Sequence, residues 1–287
     1  MKMIDGHTRT CGLIGNPVEH TLSPLIHNTL AKQLNHNLVY VPFHVEEGQV
    51  HQAVDGAFAL NILGLNVTVP YKSQVMDSLV QIDDLAQKIG AVNTLVRCEK
   101  GYKGYNTDMP GLYRALASEK IKLEGQEVIL LGAGGAARAV AFMCASKNVK
   151  RVYLLNRSVE KAKAVADEVN AKSGRECIYP MALENYNELP DQKFLAIQAT
   201  SVGLHPNVEH AVIEDQAFYQ RIHTGYDLIY KPRDTRFMQL VRENGGCAFH
   251  GLKMLLYQGI IAYELWNDVS VSESMAAQVY KALEERA

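Results

Sequence analysis

Apolar and polar positions alternate along this chain at two periods, dividing it into strand-length and helix-length stretches. Residues 10–14, 38–45 and 63–69 are short apolar runs of the kind that form strands. The first ends at Gly15-Asn16-Pro17 and the third is stopped by Pro70. Between them, apolar residues recur every three or four positions. Ser23 stands just before Pro24, which suits an N-cap followed by proline at the first helical position. Leu25, Ile26, Leu30 and Leu34 carry that helix onward, and a second helix is predicted over 50–60. Helical stretches follow over 72–79 and 83–88. Residues 93–97 and 102–105 read as a hairpin turning near Lys100-Gly101. Strands alternating with helices predict a parallel sheet, with this hairpin as an antiparallel addition. A helix over 108–118 leads onward.

The next run, 128–131, is apolar without alternation, as in a strand buried on both faces of a parallel sheet. It stops at Gly132-Ala133-Gly134-Gly135-Ala136-Ala137, and an alanine-rich helical stretch follows. Strand, glycine turn and helix is the order that a dinucleotide-binding unit requires. Gly132 permits the tight turn and Gly134 the approach of a pyrophosphate, while Ala137 keeps the helix close to the strand. The same residues also suit an ordinary strand-to-helix turn; their flanking elements favour the nucleotide. A second strand over 152–155 runs into Asn156-Arg157-Ser158, and a helix follows over 159–170. NAD-binding units usually carry an acidic residue ~20 positions past the glycines, and none stands at this strand's tip. An arginine beside a hydroxyl suits a 2′-phosphate instead, which predicts NADP over NAD. Ser158 suits an N-cap equally well.

Strands over 195–198 and 225–229 extend this second sheet, and helices over 253–265 and 272–285 close the chain. Because the first domain lacks helices for one face, these two are expected to pack back onto it. The expected organisation is α/β throughout. Residues 1–107, completed by 251–287, form one domain and 108–250 the other, with a cleft between them.

Composition narrows the picture. At 287 residues, 47% hydrophobic and 21% charged, the chain is globular, and a net charge of -2 gives no global attraction for nucleic acid or an anionic membrane. Cys11, Cys98, Cys144, Cys177 and Cys247 are far apart with no Cys-x-x-Cys spacing, as expected of reduced thiols in a cytoplasmic protein. No apolar run is long enough to span a bilayer. His20 and His27 lie seven apart, but no carboxylate or third histidine stands at ligand spacing, so no metal is expected.

Four further stretches carry a family resemblance. Gly15-Asn16-Pro17-Val18-Glu19-His20-Thr21-Leu22-Ser23-Pro24, Asn66-Val67-Thr68-Val69-Pro70-Tyr71-Lys72, Gly90-Ala91-Val92-Asn93-Thr94 and Asn106-Thr107-Asp108 precede the glycine turn in order. Gly251-Leu252-Lys253-Met254-Leu255 and Gln258 match near the end. Together they resemble the shikimate dehydrogenase family, including the quinate/shikimate dehydrogenases. The resemblance implies an N-terminal substrate domain, a Rossmann domain for NADP and C-terminal helices that return to the first domain. The implied reaction is reversible hydride transfer giving shikimate from 3-dehydroshikimate, a step of aromatic amino acid biosynthesis. The expected partner is that small molecule alone, bound by a monomer or homodimer.

By motif position, the resemblance makes Lys72 and Asp108 the catalytic pair. Thr21, Ser23, Asn66, Thr68, Lys72, Asn93, Asp108, Tyr230 and Gln258 would hold the substrate. Gly132, Ala133, Gly134, Gly135, Ala136, Asn156, Arg157 and Ser158, with Thr200, Leu228, Gly251 and Met254, would hold the cofactor. The chemistry agrees with the pair. Ketone reduction places negative charge on oxygen, and a fixed ammonium supplies both countercharge and proton. Asp108 would favour the charged lysine and fix its position. Without the motifs, Lys72 reads as a surface lysine and Asp108 as an N-cap. Asn66 and Thr68, at i and i+2, share a strand face and need partners there. Three positions depart from the family pattern: Thr21 for serine, Gln198 for asparagine and Lys253 for glycine. Thr21 adds a methyl group where the substrate carboxylate should sit, which leaves the choice between shikimate and quinate open; the alternative within enzymes is a quinate/shikimate dehydrogenase using NAD as well or instead. A dinucleotide or shikimate sensor without turnover is the alternative of another class.

Overall fold

The computed structural model describes residues 4–286. The chain divides into two compact units, one running to Leu112 and resuming over Leu255–Arg286, the other Tyr113–Met254. Both divisions fall inside helices, a few residues beyond the positions 107 and 250 expected from the sequence.

The first unit opens with β1 (Arg9–Gly15), α1 (Ser23–Gln33), β2 (Leu38–His44), α2 (Val50–Ala59) and β3 (Gly64–Val67). It continues with β4 (Gln81–Ile82), α3 (Asp84–Ile89), β5 (Thr94–Cys98) and β6 (Gly101–Tyr105), and then α4 (Asp108–Ser118) crosses the division. The sheet order is β2-β1-β3-β5-β6-β4. β1 pairs parallel with β2 and β3, while the β5–β6 hairpin joins antiparallel through β3, as its turn signal predicts. One face buries Ile14, Leu65, Val67, Leu95 and Tyr102 beneath α2 residues Val50, Val54 and Ala57.

The second unit contains β7 (Glu127–Leu131), α5 (Gly135–Ser146), β8 (Arg151–Asn156), α6 (Val159–Ser173) and β9 (Ile178–Ala182). After these come β10 (Phe194–Gln198), α7 (Gln216–Tyr219), β11 (Ile222–Asp227), α8 (Arg236–Glu243) and β12 (Cys247–Phe249). All its strands are parallel, in the order β12-β11-β10-β7-β8-β9. That is the doubly wound dinucleotide order, which reverses between β7 and β10, the place where such sheets take ligands. Val128 to Leu131 are wholly buried, which accounts for their unbroken apolar run.

α9 (Leu252–Asn267) and α10 (Glu273–Glu284) end the chain. From Leu255 onward they belong to the first unit, as expected. Gln33 Nε2 of α1 donates to Gln278 Oε1 of α10 at 2.9 Å. On α9, Trp266 Nε1 donates to Leu95 O at 2.9 Å. Its indole fills the space over Gly64, where any Cβ would overlap the ring.

Some elements differ from the expectation. Residues 72–79 form only a 3₁₀ turn, Gln74–Ser78, and the Lys72 carbonyl accepts Val92 N at 2.7 Å in place of a helical N–H. β3 stops at Val67, and Val69 is exposed. Ser23 is the first helical residue, not the cap; Leu22 occupies that position and no side chain caps it. The edge strands β4, β9 and β12 and the four-residue helix α7 are too short to express a clear period; α8 went unnoticed although Phe237, Met238, Leu240 and Val241 form a well-defined buried face.

The Gly64 notch yields a prediction. Gly64→Ala must displace Trp266, and overpacking of this kind costs about 1–3 kcal/mol. The urea midpoint is expected to fall with a change in Trp266 emission; a variant within about 0.5 kcal/mol of the parent would show that the indole is not seated there.

Candidate active site

Lys72 lies just past β3, and the segment carrying it is anchored at both sides. Tyr71, wholly buried, donates its hydroxyl to Val45 O at 2.6 Å, and the Lys72 carbonyl takes Val92 N. Asp108 opens α4. Asn106, not Asp108, caps this helix: its Oδ1 accepts Asp108 N at 3.1 Å, and its Nδ2 donates to Ala91 O at 3.0 Å. The Asp108 carboxylate is therefore available, and Lys72 Nζ donates to its Oδ2 at 2.7 Å. The side chains are 34% and 20% exposed, so the pair borders solvent without being immersed in it. Such a charge-assisted bond fixes an ammonium's position better than a surface pair does.

Beside this pair lies a buried amide network. Asn66 Oδ1 accepts the Tyr40 hydroxyl at 2.8 Å, while its Nδ2 donates to Asn93 O at 3.3 Å and to Thr94 Oγ1 at 3.1 Å. Asn93 Oδ1 accepts Thr107 N at 2.8 Å, with the Thr94 and Thr107 hydroxyls at 3.1 and 3.2 Å. At the start of α1, Thr21 Oγ1 accepts Ser23 N and donates to Ser23 Oγ, both at 3.2 Å. Freed from capping, the Ser23 hydroxyl is directed to its polar neighbours. Thr68 packs its methyl over Gly15, where a Cβ would collide with it. On α9, Gln258 is buried, with Nε2 on Leu255 O at 2.9 Å, and packs so closely on Gly111 of α4 that a Cβ there would come within 2.7 Å of Gln258 N.

Tyr40, Thr94, Asn106 and Thr107 were not assigned to the site from the sequence, although the last three lie within the family motifs. The Asn93-Thr94 and Asn106-Thr107-Asp108 runs carried a signal, because adjacent polar residues next to a buried strand need partners. Tyr40 gave none, since a tyrosine inside an apolar strand reads as core. His27 is such a core residue: it is wholly buried and stacks on Tyr40 at 4.2 Å between ring centroids, with Asn66 as its polar neighbour. Burial holds its pKa down to about 3, so the ring is neutral.

In the second unit, Gly132 adopts φ 108° and donates its N–H to Leu155 O at 2.9 Å, turning the chain at the tip of β7. A Cβ on Gly132 would lie 2.8 Å from Thr200 Cγ2 at the tip of β10, so glycine lets the two tips approach. Gly134 precedes the first turn of α5 with no side-chain cap. A Cβ on Gly134 or Gly135 would enter open space, and both residues, with Ala136, are exposed, whereas Ala137 is buried and Ala133 half-buried. Uncapped N–H groups beside open space fit a dinucleotide pyrophosphate. At the tip of β8, Asn156 Nδ2 donates to Ser158 O at 2.9 Å. Ser158 does cap α6, accepting Lys161 N at 3.3 Å, and donates to Glu160 Oε2 at 2.9 Å. Arg157 is exposed, as a 2′-phosphate ligand would need.

The remaining cofactor candidates line the tips of β10 to β12. Gln198 is wholly buried, its amide accepting Thr200 N at 2.5 Å and donating to Val202 O at 3.0 Å, so the longer side chain pins the Thr200 turn. Leu228 N donates to Gln198 O at 3.0 Å. Gly251 N donates to Ile229 O at 2.9 Å, and a Cβ on Gly251 would overlap Leu228 O. Met254 is half-buried in the first turn of α9. Lys253, unexplained from sequence, forms an ion pair with Glu119 Oε1 at 2.5 Å. Tyr230 belongs to this unit and is half-buried, and burial raises its phenol pKa. The loop carrying it is held by Asp227, whose oxygens accept Ile229 N at 2.9 Å and Thr235 Oγ1 at 2.6 Å. Among the described residues, no group of three or more histidine, cysteine or acidic side chains could hold a metal ion, and no helix is long and apolar enough to cross a membrane.

Comparison with known proteins identifies relatives over nearly the whole chain. Residues 13–95 match the model of the shikimate dehydrogenase substrate binding domain, and residues 115–221 that of shikimate / quinate 5-dehydrogenase. A shikimate dehydrogenase (NADP(+)) of Caldanaerobacter subterraneus subsp. tengcongensis is 41% identical over 266 residues, covering 92% of this chain and 93% of the relative. A shikimate dehydrogenase solved in complex with NADP+ superposes with a TM-score of 0.88 at 36% identity, covering 98% and 97% of the two chains. The Listeria monocytogenes shikimate 5-dehydrogenase, in complex with shikimate and NAD, gives 0.90 at 29% identity, covering 99% of each.

Asp227 generates a pH prediction. Burial raises its pKa from 3.8 to about 7, opposed by the bonds from Thr235 and Ile229. The folded state thus favours the protonated acid. The resulting stabilisation is complete below about pH 4 and is lost as pH rises through 7. Asp227→Asn keeps the neutral form at every pH, so the parent's stability should fall relative to the variant's by on the order of 2–4 kcal/mol between pH 4 and 8. Parallel melting curves across that range would refute it.

Proposed function

Because the chain belongs to the shikimate dehydrogenase family, we propose that Lys72 and Asp108 move the proton that accompanies its hydride transfer. The reaction is the NADP-dependent, reversible reduction of 3-dehydroshikimate to shikimate. Bound NADPH supplies the hydride. The contact that carries the reading is the 2.7 Å bond between Lys72 Nζ and Asp108 Oδ2. As the ketone carbon is reduced, its oxygen gains negative charge, and the Lys72 ammonium neutralises it and delivers a proton. Asp108 holds that ammonium in one place, which retains the geometric advantage of a pre-oriented acid. In the oxidative direction the proton returns through Lys72.

Thr21, Ser23, Asn66, Thr68, Asn93 and Gln258 bind the ring acid, with Tyr230 contributing from its loop. A polyol needs neutral donors and acceptors at fixed positions, and buried ones left unpaired penalise analogues that lack a hydroxyl. Gly132 to Ala136, Thr200, Leu228, Gly251 and Met254 form the cradle for the dinucleotide, and Asn156, Arg157 and Ser158 its 2′-phosphate end. Arg157 supports NADP over NAD, and the Thr21 methyl leaves quinate as the competing substrate. The Lys72–Asp108 pair argues for turnover over a sensor, which has no need of a proton-transfer pair.

Two substitutions test this. Lys72→Ala is expected to lower kcat by ~10²–10⁴ with a smaller effect on shikimate affinity, and unchanged turnover would rule out the mechanism. Arg157→Ala should raise KM for NADP much more than for NAD in matched assays with shikimate and with quinate; equal losses would remove the basis for NADP preference.

A further inference from the structure

Of the residues joined to the proposed substrate contacts, Tyr40 has no role in the reading above. It is 1% exposed, lies on β2, and is packed between His27 at 4.2 Å and Trp266 at 6.0 Å. Its hydroxyl donates to Asn66 Oδ1, and Ser23 is a second polar neighbour of the same phenol. Tyr40 thus links the start of α1 to β3.

The orientation of both nearby amides is fixed by groups that have only one hydrogen-bonding sense. The backbone oxygen of Asn93 can only accept, so the Asn66 atom facing it is Nδ2. The backbone N–H of Thr107 can only donate, so the Asn93 atom facing it is Oδ1. Both Asn66 N–H groups are then spent, on Asn93 O and Thr94 Oγ1. Asn93 shows the opposite balance. It is 3% exposed, its oxygen takes three donors, and its Nδ2 has no partner among the described residues.

We infer that Tyr40 is a positioning residue: Asn93 O and Thr94 Oγ1 take both N–H groups of Asn66 and leave it a pure acceptor, the Tyr40 hydroxyl anchors that acceptor oxygen in place towards the ligand, and Thr107 holds Asn93 as a pure donor. The two side chains are chemically identical but present opposite signs. The site therefore takes a ring that offers a hydroxyl hydrogen to Asn66 and an oxygen lone pair to Asn93. His27 supports this arrangement by shape, since its neutral ring stacks on the phenol at 4.2 Å between centroids, and Asn66 is its polar neighbour.

The inference rests on Asn66 being a ligand contact, and Tyr40→Phe tests it with shikimate and its 4-fluoro-4-deoxy and 5-fluoro-5-deoxy analogues, which keep an acceptor but cannot donate. Loss of one neutral hydrogen bond is worth about fivefold to tenfold. The variant is expected to raise KM for shikimate by about that factor, with kcat and KM for NADP within about twofold. One fluoro analogue should bind the parent at least about fivefold more weakly than shikimate, and that penalty should shrink in the variant. An unchanged shikimate KM, or the same analogue penalty in both proteins, would overturn the assignment. So would a parallel loss of kcat and NADP affinity, or loss of the native Trp266 emission, because either would make the phenol a general support of the core. NADP-linked oxidation of shikimate by the parent is read separately, so failure of the function proposal is distinguishable from failure of this one.

Discussion

An ammonium and a carboxylate meet at 2.7 Å from positions 36 residues apart, and the first unit is arranged so that neither can drift. Lys72 is held by its own carbonyl, which accepts Val92 N, and by the buried hydroxyl of the preceding tyrosine. Asp108 is held by Asn106, which caps its helix and reaches back to Ala91 O. Both mounts converge on residues 91–93, just before β5. An ion pair as exposed as this one contributes little to stability by itself. Its rigidity comes from neutral hydrogen bonds beneath it.

The same economy recurs in the second unit, where glycines and one amide shape the cradle. Gly132 and Gly251 allow backbone to approach within distances that a Cβ would forbid, and Gln198 fixes the Thr200 turn from below. The tips of β7, β10 and β11 therefore present backbone groups, with few side chains in the way. Backbone donors suit a pyrophosphate because they recognise it without the cost of ordering long side chains.

The sequence disclosed what repeats or concentrates. The Val128–Leu131 run is apolar because both faces are covered, and the glycine turn follows because β7 and β10 must touch. The motifs around Lys72, Asn93 and Asp108 are dense in polar residues at strand ends, where a site is expected. What escaped notice depends on contacts distant in sequence. Ser23 before Pro24 looks like a cap, yet the helix begins one residue earlier and the hydroxyl turns to Thr21. Residues 72–79 have the composition of a helix, but the Lys72 carbonyl takes Val92 N in place of a helical N–H. Tyr40 is indistinguishable from a core tyrosine until Asn66 is seen 2.8 Å away. The edge strands are too short, at two to five residues, to express a period.

The first unit is discontinuous in sequence: its sheet is made early, and the helix that fills the Gly64 notch comes from the chain's far end. On the ribosome, the dinucleotide unit emerges whole while its neighbour still lacks α9 and α10. The usual order, in which N-terminal domains mature first, is thereby reversed. Until α9 and α10 have emerged, the nascent unit exposes His27 on α1, Tyr40 on β2 and the groove awaiting Trp266. That interval is when this polypeptide has most need of a chaperone.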